Sequence, residues 1–239
     1  MTKFIFKWGL RLVLVVVVLA AVFVLSLDSL LRFAIEHQLR QQTRMRVEIG
    51  KFHLGLTQPV IKIQQFRLYN SAQFGGTPFL DIPEIYVQYD RAALARNEIH
   101  LTQMRFNLGE LEIVKSRDGQ TNLLSLGVPL PGKPAAAGGA PRELADFKRQ
   151  TGLDFKGIDV LNVSVGAFKY VDLQNSKNDQ VQIIGVENLA ITNVVSSADL
   201  AGLGLLVGLR SGDFFKPLVA PGDSGAAASA QDLLKLLGR

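Results

Sequence analysis

The chain of 239 residues contains no cysteine. Disulfides, thiolate nucleophiles and cysteine metal sites are therefore excluded, and an oxidising compartment stays open because nothing there can mispair. Histidine is scarce: His37, His53 and His100 stand far apart, with no H-x-x-x-H or H-E-x-x-H spacing among them. There is no G-x-S-x-G elbow and no G-x-x-x-x-G-K-[ST] loop. The glycines of "GLGLLVG" do not follow a strand with dinucleotide-binding spacing, and they lack an acidic partner. Glu110 and Glu112 are paired acids, but with Lys115 beside them they read as solvated edge charges, Glu110 in a turn. Basic runs interleaved with aromatics are also missing. The net charge of +5 reads as a mildly basic surface, with no nucleic-acid partner, and a few cations near the N-terminal segment can meet anionic lipid. No catalytic residue, metal site or cofactor is expected, and the chain is not expected to be an enzyme.

What is present starts with the strongest physical signal, "WGLRLVLVVVVLAAVFVLSL". Leu12 to Leu27 carries no charge and only Ser26 as a polar residue. Trp8, Gly9 and Leu10 extend it to the roughly 20 residues a spanning helix needs. Arg11 can snorkel to the interface, and Trp8 suits an interfacial belt. The run exceeds a signal-peptide core and is not followed by an A-x-A-like site, so an uncleaved anchor is expected. Lys3, Lys7 and Arg11 favour a cytoplasmic N-terminus, with the bulk of the chain across the membrane.

Asp28 to Gln42 reads as an amphipathic helix, with Leu30, Leu31, Ala34, Ile35, Gln38 and Leu39 on one face, charges on the other, and Asp28 or Ser29 as its cap. From Arg46 the period changes to 2. "MRVEIGKFHLGL", "PVIKIQQFRLYN", "FLDIPEIYVQYD", "EIHLTQMRFNL" and "ELEIVKS" alternate, with one-residue slips that suggest bulges. A Pro/Gly/Ala-rich linker follows, then a short helix with a stop at Gly152. The strands "GIDVLNVSVGAFKYVDL" and "DQVQIIGVENLAITNVV" come next, and an apolar, glycine-bearing tail closes the chain. The expected division is 1–27 start and anchor, 28–125 helix and first β module, 126–157 linker and short helix, 158–197 second β hairpin unit, and 198–239 tail.

A weak internal repeat relates "LGELEIVKSRDGQTN" to "VGAFKYVDLQNSKND". Gly109 matches Gly166, Leu111 matches Phe168, Ile113 matches Tyr170 and Val114 matches Val171. This suggests one meandering antiparallel unit used twice. Asp118-Gly119 lies in an oxygen-rich cluster, but with a single carboxylate it fails the EF-hand pattern. It reads as a hairpin-type turn with Asn122 satisfying nearby backbone.

Taken in order, the basic start, span, "TRMRVEIGKFHLGL", "VIKIQQFRLYN", "FLDIPEIYVQYDRAALARNEIHLTQMRF" and "GELEIVKSRDGQTNLLSL" resemble the N-terminal module of the AsmA-like family of bacterial envelope proteins. Thr43, Asn70, Asp90, Leu94, Asn97, Glu98, Ile99, Asp118, Gly119 and Asn122 occupy the recognisable positions. Arg44 stands where the family often has Gly, and Arg96-Asn97 where a basic residue and Gly are common. "GAFKYVD" is similar to the family's later hairpins. The likeness covers about 1–125 and, loosely, 158–192.

The resemblance implies a mainly β fold with an N-terminal transmembrane helix: a curved, open antiparallel sheet with an apolar groove, related in architecture to chorein-type bridge proteins, plus short accessory helices. It implies an inner-membrane protein with its main domain in the periplasm, and membrane and phospholipid as partners in lipid transport or outer-membrane biogenesis. About seven strands at roughly 4.8 Å give on the order of 35 Å of groove, so an oligomer or larger envelope complex is expected for any long path. The residues expected to line the groove are Ile61, Ile63, Phe66, Leu68, Ile85, Val87, Tyr89, Met104, Phe106, Leu111 and Ile113. Asp118, Gly119 and Asn122 form the module-closing turn, and Trp8, Arg11, Leu12 and Leu27 mark the anchor. The alternative is a non-enzymatic structural or assembly subunit of an envelope complex. A tail from Ala198 that caps the sheet would favour that alternative.

Overall fold

The structure is a computed structural model that describes residues 27–41, 43–55, 57–125, 145, 147–149, 151–212 and 214. The expected anchor positions Trp8, Arg11 and Leu12 lie outside these residues, and Leu27 is helical, in α1 (described over 27–41). Among the described residues no helix is long and apolar enough to cross a membrane.

The alternating segments form β1 (Arg46–Leu54), β2 (Val60–Tyr69), β3 (Pro78–Tyr89), β4 (Glu98–Lys115), β5 (Asp154–Asp172) and β6 (Gln180–Val194). They make one open six-stranded sheet in chain order. Two short helices, α2 (Arg91–Leu94) and α3 (Asn122–Ser125), follow β3 and β4. The described residues between 145 and 151 are helical (α4), and α5 spans Ala201–Ser211.

The expectation of an all-antiparallel sheet is corrected at one pair. β4 and β5 run parallel, while every other neighbouring pair is antiparallel. A parallel pair needs a crossover of a dozen residues or more, and the segment from Ser116 to Leu153 supplies it. The observed register is that of the internal repeat: Leu111 lies opposite Phe168, Ile113 opposite Tyr170 and Val114 opposite Val171. Gly109 and Gly166 face each other just before these pairs, between Leu108↔Val165 and Glu110↔Ala167, and a Cβ on Gly166 would press into the Gly109 carbonyl. The two copies of the repeat therefore stack side by side, not as successive turns of one meander.

The slips in apolar alternation also align. Gly50 faces Gln65, Gln65 faces Pro83, and Gly109 packs against the Pro83 ring. Gln65 is left-handed at φ 55, as is Gly185 at φ 59 on β6. This line of bends crosses the sheet and lets each strand keep its apolar residues on one face on both sides of the bend. The core rests on that face and includes Val47, Leu68, Ile113, Val163, Phe168 and Tyr170.

The helix α1 keeps part of its expected apolar face inward, with Leu31, Ile35 and Leu39 half-buried, but a charged row shares that side. Asp28, Arg32, Glu36 and Arg40, one turn apart, face the protein and bind the open edge of β1. Asp28 Oδ1 accepts from Leu54 N–H (2.9 Å), Arg32 Nη1 donates to the Gly50 carbonyl (3.0 Å), Glu36 Oε1 accepts from Ile49 N–H (2.8 Å) and Arg40 Nη2 donates to the Val47 carbonyl (2.8 Å). An edge strand exposes unpaired main-chain groups, and this row of side chains satisfies them. Leu39 reaches the core, whereas Leu30 and Phe33 point outward, 54% and 69% exposed.

A candidate apolar binding site

Leu68 and Ile113 are buried core, and Phe66, Met104, Phe106 and Leu111 pack against it. Ile63 and Ile85 are half-buried in the row Phe52–Ile63–Ile85–Phe106. Ile61, Val87 and Tyr89 line a cavity of about 310 Å³. The eleven residues expected in the groove thus share one face but have different environments. The cavity wall also contains Leu94, Ile99 and Leu101, with Asp90, Glu98 and His100 at its polar margin. Sequence reasoning left these out of the groove. Ile99 and Leu101 belong to the same alternating run as Met104, and the bulges at Gln88/Tyr89 and Ile99/His100 bring them beside Val87.

The covering of the face is uneven. Over β5 and β6, Leu203, Leu206 and Val207 of α5 pack on the core, and Phe214 meets Phe168 with ring centroids 5.8 Å apart. Arg210 Nη1 donates to the Ile184 carbonyl (2.9 Å), and Gln182 Nε2 donates to the Arg210 carbonyl (2.9 Å), which hold α5 in place. The tail thus caps part of the sheet, and the cavity lies away from it at the ends of β2, β3 and β4.

The margin is ordered by short-range polar contacts. Asp90 caps α2 by accepting from Ala92 N–H at 2.7 Å, which fixes Leu94 over the cavity. That backbone bond holds the Asp90 carboxyl below the usual carboxylate range. His100 Nε2 lies 2.8 Å from Asp159 on β5, and His100 Nδ1 lies 3.7 Å from Asp90. The hydrogen bond to Asp159, with its charge, raises the His100 pKa above its ordinary value. His53 pairs with Asp28, and His37 stacks on Phe33. Among the described residues no group of three or more His, Asp or Glu is placed to hold a metal ion.

The module-closing turn is a structural centre. Gly119, at φ 81, donates its N–H to the Ser116 carbonyl (3.0 Å), so the turn of Asp118-Gly119 needs a residue that tolerates the left-handed region. Asn122 is 1% exposed. Its Oδ1 accepts from Val114 N–H (3.1 Å), and its Nδ2 donates to the Glu112 carbonyl (2.9 Å) and to Asn70 Oδ1 (2.8 Å). In the second copy of the repeat, Asp179 Oδ1 accepts from Asp172 N–H at 2.9 Å.

The reading of Glu110 and Glu112 as solvated edge charges is overturned. Both belong to β4, and Glu112 is 2% exposed. Its carboxylate accepts from Thr77 Oγ1 and lies 2.6 Å from Lys169 Nζ on the parallel neighbour. Burial of a charge requires such partners. Thr43 closes α1 by donating to the Leu39 carbonyl at 2.8 Å, and Arg44 and Asn97 are both left-handed, at φ 57 and 59. The positions singled out by the ordered motifs thus turn, cap and cross-brace the chain.

The fold and the face together define an open, mainly β sheet protein with one apolar surface, partly covered by its own tail. No family model, no curated protein and no solved structure matches the chain.

Proposed function

We propose that the chain is an envelope protein of the AsmA-like type, held in the bacterial inner membrane by its N-terminal apolar segment with the sheet in the periplasm. It contacts phospholipid acyl chains through the uncovered part of its apolar face and helps transfer them. The observation that carries this reading is the cavity walled by Ile61, Val87, Tyr89, Leu94, Ile99 and Leu101. An apolar concavity with a few polar groups at its margin is the ordinary form of a site for an apolar ligand. Six strands with five spacings of roughly 4.8 Å give a sheet about 24 Å wide, enough for a short contact and not for a bridge between membranes. A longer path needs further copies or partner chains.

Native mass spectrometry of the full-length chain in detergent tests the reading. Phospholipid is expected to co-purify, and Val87→Trp, which fills the cavity, is expected to displace it without unfolding the sheet. Absence of phospholipid from the wild-type chain overturns the proposal. One observation favours a second reading, a structural or assembly subunit: α5 already covers the β5–β6 part of the face. A stoichiometric protein complex that survives detergent, with the cavity filled by a partner chain, decides for that role.

A further inference from the structure

A second cavity, of about 210 Å³, lies at the other end of β2. Met45 and Phe74, both buried, form its apolar part. The rest of its wall is polar: Arg44 from the turn between α1 and β1, and Asn70, Ser71 and Gln73 from the β2–β3 connection. β2 has 10 residues, so this cavity and the one at Ile61 are roughly 30 Å apart.

The polar groups of this wall have donors to spare. Asn70 is 5% exposed, its Oδ1 accepts from Asn122, and its Nδ2 reaches Thr77 Oγ1 only at 3.5 Å. An amide nitrogen carries two N–H groups, so one of them is left over. The Ser71 hydroxyl caps nothing in the turn that follows it. Neither that hydroxyl, nor the Gln73 amide, nor the Arg44 guanidinium has a hydrogen-bond or ion-pair partner among the described residues. Thr43 completes the wall, but its hydroxyl is committed to the Leu39 carbonyl. Among the described residues no carboxylate lines the cavity.

Arg44 is also strained. Its φ of 57 is in the left-handed region, where a Cβ is disfavoured and glycine is the ordinary occupant. Strained residues of this kind gather where a ligand is clamped. The end of α1 does not account for the charge, because Arg40 already stands in its last turn. A guanidinium presents its N–H groups in a fork that matches the oxygens of a phosphate.

We infer that this cavity binds a phosphate group, with Arg44 as the cation that holds it and Asn70, Ser71 and Gln73 as further donors. Phosphate is favoured over carboxylate because it has more oxygens to accept from four side chains. The group is carried by a soluble compound or by a lipid headgroup. The site goes beyond the acyl-chain reading and does not depend on it.

Isothermal titration of the full-length chain in neutral detergent tests the site, with inorganic phosphate, glycerol 3-phosphate and dihexanoylphosphatidylglycerol as titrants. Saturable binding at one site is expected. Arg44→Gly is expected to fold, because it relieves the left-handed residue, and to weaken binding roughly tenfold or more. Ser71→Ala is expected to weaken it about threefold. Lys177→Gln removes an exposed cation elsewhere at this end, and Val87→Trp fills the other cavity; both are expected to leave phosphate binding unchanged. Tighter binding of the short-chain lipid assigns the phosphate to a headgroup, and equal or tighter binding of the two soluble phosphates assigns it to a soluble compound; both keep the site. The site is overturned by absence of saturable binding, by binding that survives Arg44→Gly, or by an equal loss in Lys177→Gln. Acetate binding as tightly as phosphate overturns the choice of phosphate. Loss of phosphate binding in Val87→Trp overturns the separation of the two cavities, whereas phosphate binding by a chain that co-purifies with no phospholipid keeps this site and overturns the acyl-chain reading alone.

Discussion

Over β5 and β6 the apolar face lies beneath α5, whereas at the ends of β2, β3 and β4 the same face borders a cavity. The residue types scarcely differ: Phe168, Val163 and Val186 on one side, Ile61, Val87 and Leu101 on the other. The difference is in what reaches them. Phe168 is 5% exposed beneath Phe214, while Val87 is only half-buried. The first region buries Val163, Phe168 and Val186 beneath the tail, and the second keeps half-buried apolar surface beside a cavity. An apolar pattern marks a face and does not mark which part of it is used.

Substitutions separate the two regions by size of effect. Phe168→Ala in the covered region is expected to cost about 3–5 kcal/mol in chemical denaturation, because it removes a filled core position and leaves a cavity under Phe214. A loss below about 1 kcal/mol there breaks the contrast. Lys169→Met strands the Glu112 carboxylate, and the cost expected is about 2 kcal/mol, less than for a fully buried pair because Lys169 is 38% exposed. Double substitution with Glu112→Leu is expected to recover most of that loss. Val87→Ala in the uncovered region is expected to cost no more than about 1 kcal/mol, since little complete burial is lost. Its larger effect is on the amount of phospholipid that co-purifies.

Arg44→Gly tests the backbone and not the face. It is expected to stabilise by about 0.5–1 kcal/mol, because φ 57 strains a side chain with a Cβ. The smallest effect is the pH dependence of the cavity margin. The His100 pKa is raised in the folded chain by Asp159, with Asp90 on its other side. The linkage therefore stabilises fully below the ordinary histidine value of about 6.5 and is lost as pH rises through the raised folded value. The denaturation midpoint of the wild-type chain is expected to fall relative to His100→Gln as pH rises above about 6.5. A midpoint difference that does not change with pH removes the histidine from the account.

Much of the local structure was legible. The period-2 runs are strands, the slips are bends, Asp118-Gly119 is a turn, and the apolar positions of β2, β3 and β4 share a face. These follow from interactions within a few residues, which alternation and turn chemistry report directly. The polar network around Asn122 was only half legible. A buried asparagine beside a turn is a local inference, but its bond to Asn70 spans 52 positions of sequence. The burial of Glu112 was misread for the same reason: Lys169 and Thr77 reach it from other strands, and nothing adjacent in the chain announces them.

The alternation, the bend residues Gly50, Pro83, Gly109 and Gly166, and the likeness of the two repeat copies are written in the order of residues along the chain. Contacts distant in the chain set the rest: those copies pair in parallel, a charged row of α1 bonds the edge of β1, and α5 covers the β5–β6 part of the apolar face. The physical reason is that a strand's period is the same whichever neighbour it takes. The choice of neighbour depends on contacts between residues distant in the chain: glycine against glycine, Glu112 against Lys169, and a helix long enough to cover two strands but not six.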